Sequence, residues 1–181
     1  MLGLGVKGLK VFQEVDLVDP IKIVPMTPEL QPAFADIWVS WLRNAMHKEP
    51  EPEDLAAVES PDEFYVKPGG AVFFALKDGS PVGVVAVKLL SPGIYEFAKL
   101  VVSEDARGLR VGKRLVEQCI DFVRDSDGHL LALQSFHKLE IAVAMYERMG
   151  FQHIDPPPGM NVLARTEIVM GMPVAGKDAG D

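Results

Sequence analysis

The segment YEFAKLVVSEDARGLRVGKRLV, residues 95–116, decides the fold because its residue pattern changes in the middle. A strand predicted over Ile94–Val102 gives way to a short loop that contains Arg107 and Gly108. From Leu109 to about Arg124 the apolar residues recur at a helical period, which predicts a helix. The segment is therefore a strand, a glycine-containing loop and a helix in direct succession.

The junction between this strand and this helix has the composition of an anion site. The first turn of a helix presents unpaired backbone N–H groups and the positive end of its dipole, where phosphate groups bind. Gly108 and Gly112 would let a ligand approach the backbone closely. Four bases lie at the same end: Arg107, Arg110, Lys113 and Arg114. The chemistry leaves two interpretations, a phosphate or pyrophosphate cradle and a glycine loop with solvated bases.

The flanking sequence predicts a mixed α/β fold, in the order β, α, α, β, β, β, α, β, α, β, β. The strands are predicted at Ile21–Pro25, Ala71–Lys77, Val82–Leu90, Ile94–Val102, His129–Gln134, Phe151–Ile154 and Val162–Met170. The helices are predicted from a cap at Thr27 to about Lys48, and at about Glu53–Glu59, Leu109–Arg124 and Lys138–Met149. Short connections make three strands an antiparallel meander, which a helix crossover continues into a parallel neighbour. One domain is expected over residues 20–172, with an arm or extra strand at 1–20 and a flexible tail at 173–181.

Composition excludes several classes of protein. The 181 residues are 48% apolar and 24% charged, as in globular domains, and no window resembles a membrane span. The net charge of −8 argues against non-specific nucleic-acid binding. With Cys119 as the single cysteine and four histidines that do not pair at ligand spacing, no metal site is predicted. The N-terminus has no basic region and no cleavage signal, so a cytoplasmic protein is expected.

Three motifs together resemble the GNAT superfamily of acyl-CoA-dependent N-acyltransferases. Residues 107–112 resemble its motif A, (Q/R)-x-x-G-x-(G/A), except that Arg110 stands where the family usually has glycine. Upstream, EFAKL at 96–100 resembles the family's E-L-x-(K/R)-(L/M) strand. Downstream, AVAMYERMGF at 142–151 resembles A-x-x-(L/M)-Y-x-x-x-G-F. The motifs have the family's order and spacing, and the resemblance covers roughly residues 20–170.

The resemblance implies a mixed, mostly antiparallel sheet with helices on both faces and an N-acetyltransferase that uses acetyl-CoA without a metal. It places acetyl-CoA in a V-shaped gap where the third and fourth main strands splay apart. The pantetheine is expected along Leu100, Val101 and Val102. The pyrophosphate is expected on the backbone amides of Arg107, Gly108, Leu109, Arg110, Val111, Gly112 and Lys113.

The catalytic residues expected from this resemblance are Glu96 and Tyr146. A neutral amine must attack the thioester, so a base is needed, and a carboxylate in an apolar strand should have a raised pKa. The alternative interpretation is that Glu96 is a charged residue of an edge strand or the partner of a lysine. Tyr146 matches the tyrosine that the family often places near the CoA sulfur, and it is otherwise a core anchor. A backbone N–H near Val101 or Val102 would meet the oxyanion.

Other family features are less complete in this sequence. The family often has an asparagine that contacts CoA at the position of Leu139, where Ser135 or His137 is a candidate substitute. The first helices of the family wall the acceptor site, so Arg43, His47 and the acidic residues 49–63 are candidates to face the acceptor.

The acceptor expected first is the primary amine of a small molecule. Two alternatives remain open, namely a non-catalytic acyl-CoA-binding module and an acetyltransferase of protein lysines or N-termini. A pocket closed by residues 43–65 would favour a small acceptor, and an open groove beside Glu96 would favour a protein. A homodimer is compatible with the resemblance.

Overall fold

Seven strands form one mixed sheet in the computed structural model, which describes residues 19–176. The strands are β1 Ile21–Pro25, β2 Ala71–Lys77, β3 Ser80–Ser91, β4 Ile94–Val102, β5 Leu130–Ser135, β6 Gln152–His153 and β7 Ile168–Pro173. The sheet order is β1-β2-β3-β4-β5-β7-β6, in which only β4 and β5 pair in parallel. The predicted mixed, mostly antiparallel sheet is confirmed.

Helices cover both faces of this sheet. The helices are α1 Gln31–Met46, α2 Pro52–Glu59, α3 Val111–Asp125 and α4 Glu140–Arg148. On one face α3 buries Leu115, Cys119 and Val123 in the larger core, as the helical period predicts. On the other face α1 buries Phe34 and Trp38 in a second core. None of the helices in residues 19–176 has the length and apolarity needed to cross a bilayer.

Several predicted boundaries are wrong. Helix α1 begins at Gln31 instead of Thr27, whose carbonyl only accepts the backbone bonds of a preceding turn. The π-helical turn Asp62–Val66 is not predicted at all. The last strand was expected over Val162–Met170, but residues 162–167 belong to a loop and β7 runs on through Pro173. The expected limit at residue 172 thus lies inside β7. Most of the expected arm (1–18) and the end of the tail (177–181) lie outside the described residues.

Two irregularities in β4 open the sheet beside its parallel neighbour. Between Ala98 and Val101 the β3–β4 register shifts by one residue, and Lys99 in this bulge has a φ of 59°. The β4–β5 ladder ends at the pair of Glu96 with Ala132, although β4 continues to Val102. Beyond that pair the two strands are no longer hydrogen-bonded to each other, at the position of the expected gap.

Candidate active site

A cavity of about 150 Å³ lies where β4 and β5 separate. It is lined by residues 96–100 of β4, Trp38 and Trp41 of α1, residues 134–136, Tyr146 of α4, and Leu163, Arg165 and Thr166 of the last loop. A second cavity, of about 80 Å³, lies against α2 and the π-helical turn and shares Glu96, Lys99 and Arg165 with the first.

Glu96 lies in the wall of both cavities. Its side chain is buried with 8% exposure, and Gln134 Nε2 donates a 2.9 Å hydrogen bond to its Oε1. Burial raises the pKa of Glu96 above its ordinary value, against the opposing effects of that hydrogen bond and of the charges on Lys88 and Lys99. The carboxylate is therefore more basic than an exposed one, as the sequence predicts for an acid in an apolar strand.

Tyr146 lines the same first cavity as Glu96, and its ring lies in the core. The ring packs at an angle against Phe97 and Phe151, with centroids 5.4 and 6.1 Å away. Among the described residues nothing hydrogen-bonds to its hydroxyl, which belongs to a side chain that lines the cavity. Burial raises the pKa of Tyr146, so the phenol keeps its proton at neutral pH. The core-anchor interpretation of the ring and the proton-donor interpretation of the hydroxyl are thus compatible.

Gln134 fixes the position of Glu96, and sequence reasoning did not find it. Besides its bond to Glu96, its Nε2 donates to the carbonyl of Asn161 at 2.9 Å. Its Oε1 accepts from the backbone N–H of Leu163 at 3.0 Å and from Thr166 Oγ1 at 2.6 Å. One half-buried amide therefore holds the last loop against β5 and orients the candidate base.

Asp54, Lys99 and Arg165 form a charged cluster beside Glu96. Lys99 Nζ donates to Asp54 Oδ1 and lies 3.7 Å from the centroid of the Trp38 ring. Arg165 donates to the same carboxylate through Nη2 at 3.1 Å and Nη1 at 3.4 Å. The side chains of Asp54, Lys99 and Arg165 are 9%, 10% and 27% exposed. We call these three residues the charged cluster, in which two cations share one carboxylate.

The surroundings of Asp54 and Glu96 shift the pKa values of these two carboxylates in opposite directions. Burial alone would raise the pKa of Asp54, but hydrogen bonds from Lys99 and Arg165 outweigh it and hold that pKa below its ordinary value. The pKa of Glu96 is shifted in the other direction. A carboxylate with a raised pKa is the better base near neutral pH. Glu96 is therefore the candidate base, and Asp54 is a fixed counterion.

The loop before α3 has the open backbone that an anion site requires. A Cβ placed on Gly108 would meet nothing within 4 Å, and one on Gly112 would meet Met145 and Val102 only at 3.8 Å. The first helical bond of α3 runs from the N–H of Arg114 to the carbonyl of Arg110, which leaves the amides of residues 111–113 outside the helical bonding pattern. Arg110 has a φ of 57°, the left-handed conformation that glycine adopts more easily. This conformation accounts for the family's usual glycine at its position.

The basic side chains of this loop differ in their partners. Arg107 pairs with Glu104 at 3.2 Å and Lys113 with Glu117 at 3.4 Å, and both bases are largely exposed. Arg114 instead binds Asp19 at 2.8 Å and the carbonyl of Ile21 at 3.0 Å, so it fastens β1.

Some of the remaining predicted site residues line the first cavity, and the others lie elsewhere. Leu100 and Leu139 line the cavity, as does Ser135, whose buried hydroxyl has no hydrogen-bond partner among the described residues. Val101, Val102 and Arg107 line a groove against α1. Leu109 is half-exposed in the loop, and Val111 is buried at the start of α3. Arg43, His47 and His137 line neither cavity, whereas Glu51, Glu53 and Asp54 of the acidic segment line the second.

A sequence model of the acetyltransferase (GNAT) family matches residues 34–151, about two thirds of the chain. The chain belongs to the GNAT family. Acetyltransferases of this family use acetyl-CoA. The match includes the separated strands, the loop before α3, and both Glu96 and Tyr146.

Individual relatives agree with this assignment. The N-acetylaspartate synthetase of Mus musculus is 27% identical over 118 residues, which cover 64% of this chain and 37% of that protein. The matched curated relatives are each covered over less than two thirds of their length. An acetyltransferase of the GNAT family from Staphylococcus aureus Mu50 has a TM-score of 0.79 at 20% identity, covering 85% of this chain and 99% of that one. One from Streptococcus agalactiae 2603 has a TM-score of 0.74 at 19% identity, covering 84% and 97%.

Proposed function

We propose that this GNAT acetyltransferase transfers the acetyl group of acetyl-CoA directly to the primary amine of a small molecule. The observation that carries the proposal is that Glu96 and Tyr146, a buried carboxylate and a buried phenol, line one cavity where β4 leaves β5. The first can accept a proton from the attacking amine and the second can donate one to the leaving thiolate. A base and an acid beside one opening are what this reaction needs.

In the proposed reaction Glu96 takes a proton from the acceptor's ammonium group, directly or through one water. The lone pair of the deprotonated amine nitrogen forms the new C–N bond as the thioester C–S bond breaks. A backbone N–H of Val101 or Val102 stabilises the negative charge that develops on the carbonyl oxygen. Tyr146 donates a hydrogen bond or its proton to the departing sulfur. The second proton of the attacking nitrogen, which is lost as the amide forms, passes to the sulfur or restores the phenol of Tyr146. The groove beside Val101, Val102 and Arg107 would hold the donor between the cavity and the loop before α3.

The enclosure of the cavity supports a small acceptor over a protein. Asp54 of α2, Lys99 of β4 and Arg165 of the last loop are joined by ion pairs around the buried Asp54 carboxylate, so three separate elements meet beside the cavities that Glu96 lines. A long peptide would have to part these contacts to reach the base. The similarity to the mouse N-acetylaspartate synthetase, whose name denotes a small acetylated product, is in line with this proposal.

The experiment that tests the function is acetyl-CoA turnover over a panel of amines, amino acids and peptides, with mass spectrometry of the products. We expect acetylation of small amines at rates well above those of peptides. Preferential peptide acetylation would favour the protein-modifying alternative. Acetyl-CoA binding without turnover of any amine would favour a binding module.

The loop before α3 can be tested through Gly112. Gly112→Val is expected to lower CoA affinity by one to two orders of magnitude, roughly 1.4–3 kcal/mol, because the side chain occupies the space that the ligand's phosphates need. The fold should survive, since a Cβ here makes only ordinary contacts. Calorimetric titration with CoA measures the change, and Gly112→Ala should give a smaller loss. Unchanged affinity in a folded Gly112→Val protein would contradict the assignment of the loop.

The proposed acid can be tested with Tyr146→Phe. A thiolate with a pKa near 8.5 needs only modest help at neutral pH, so we expect kcat to fall roughly tenfold to a thousandfold, about 1.4–4 kcal/mol. CoA affinity and thermal stability should barely change, because the ring still packs between Phe97 and Phe151. Steady-state kinetics and thermal melting give both values. A strongly destabilised variant with normal residual activity would show that the tyrosine is a core anchor only.

A further inference from the structure

We propose that Arg165 and Lys99 form a carboxylate-binding subsite beside Glu96, so that the acceptor is an amino acid and not a simple amine. This inference rests on the proposed function and names its substrate class. Both cations lie in the wall of the cavity that contains the candidate base and acid. The site then offers Glu96 to the amino group of the acceptor and the two cations to its carboxylate.

The two cations of the charged cluster share one buried carboxylate, that of Asp54. Glu51 Oε1 is 3.9 Å from Arg165 Nη1, but this glutamate is 72% exposed and also caps α2. No ion pair joins Glu96 to Lys99 or Arg165 within the described residues. Because one carboxylate partner of Arg165 is shared with Lys99 and the other is exposed, the guanidinium can bind a further anion at this site.

The distribution of charge between the two cavities indicates where that anion binds. Three cations and one carboxylate line the first cavity, namely Lys48, Lys99, Arg165 and Glu96. The wall of the second cavity has four carboxylates and three cations. The first cavity therefore complements a zwitterion, whose ammonium group would bind at Glu96 and whose carboxylate would bind at Arg165 and Lys99. A simple amine would satisfy only the first of these contacts.

Arg165 has the donors and the support that carboxylate recognition needs. A guanidinium has five N–H donors, and the structure uses two of them on Asp54. The loop that bears Arg165 is held on both sides, since Gln134 binds Leu163 and Thr166. A guanidinium fixed in this way can bind a carboxylate through two parallel hydrogen bonds.

The test compares amino acids with their primary amides as acceptors, over several side chains, by kcat/KM. The amide lacks the carboxylate and has the less basic amine, so its amine is more often neutral and a preference for the acid cannot come from amine reactivity. We expect wild type to prefer the acids at least tenfold. Arg165→Gln should lower kcat/KM for acids roughly 10–100-fold, mainly through KM, and change that for amides less than threefold. Arg165→Lys should recover part of the preference.

A matched control and a binding measurement complete the test. Arg124→Gln changes a surface arginine of α3 that pairs with Asp121, and it should behave as wild type. Calorimetry with N-acetylated amino acids and their amides, in the presence of CoA, reports on the subsite without turnover. Selective binding of acids that Arg165→Gln abolishes supports the subsite even if no amine is acetylated, a result that would overturn the proposed function alone. Equal binding or use of acids and amides by wild type overturns the subsite.

Discussion

Replacing Glu96 with glutamine is expected to slow acetyl transfer by roughly a hundredfold to ten-thousandfold, with little change in acetyl-CoA affinity. Glutamine has the shape of glutamate, and its amide oxygen can still accept the hydrogen bond from Gln134. It cannot take a proton from an ammonium group, so only the small neutral fraction of the acceptor would react. Single-turnover rates at saturating acetyl-CoA separate this chemical step from binding.

The pH profile gives a second signature of the same residue. Because burial raises the pKa of Glu96, wild-type kcat/KM should fall as the pH drops through a value above the ordinary 4.5 of a glutamate. Glu96→Gln should lack that part of the profile. The control is Glu147→Gln, the same change at an exposed position beside Tyr146. A Glu96→Gln rate within threefold of wild type would mean that water or another group accepts the proton.

Local pattern made most of this fold predictable. The strands Ala71–Lys77 and Ile94–Val102 have the predicted bounds, because runs rich in apolar and aromatic residues between turn residues specify both type and length. The same reasoning could identify Glu96, because a carboxylate within an apolar strand can be recognised from the sequence alone. The parallel pairing of β4 and β5 follows from the helix between them.

The charged cluster was not predictable, because its members come together only in three dimensions. Asp54 and Arg165 lie 111 positions apart in the chain. The sequence predicts a strand around Arg165 because the apolar residues beside it satisfy strand propensity. Hydrogen bonds with Gln134, the bonds of Arg165 to Asp54 and a turn bond from Thr166 to Leu163 hold that stretch as a loop. Lys99 depends on a bulge, which shifts the register by one residue and has no signature in the local sequence.

Removal of the negative charge of the cluster should produce the largest loss of stability. Asp54→Asn is expected to reduce the free energy of unfolding by roughly 3–5 kcal/mol, because it leaves Lys99 buried without its counterion and frees Arg165. For a domain of this size the melting temperature should fall by roughly 6–20 °C. Chemical denaturation of the full chain, followed by circular dichroism, measures the change.

The control for this substitution is Glu53→Gln, in the same first turn of α2, where the side chain is exposed. This variant should lose only a few tenths of a kcal/mol of unfolding free energy, the value of a helix-dipole contact.

The pH dependence of stability separates the effect of the Asp54 charge from that of its shape. Because the pKa of Asp54 is lowered in the folded state, its ionisation contributes fully to the free energy of unfolding at pH values above its ordinary pKa of 3.8. This contribution is lost as the pH falls through the folded-state pKa. The difference between wild type and Asp54→Asn should therefore be constant from neutral pH to about pH 5 and shrink only in stronger acid. A loss no larger than that of Glu53→Gln would show that water solvates the two cations, and α2 would then owe its position to apolar packing alone.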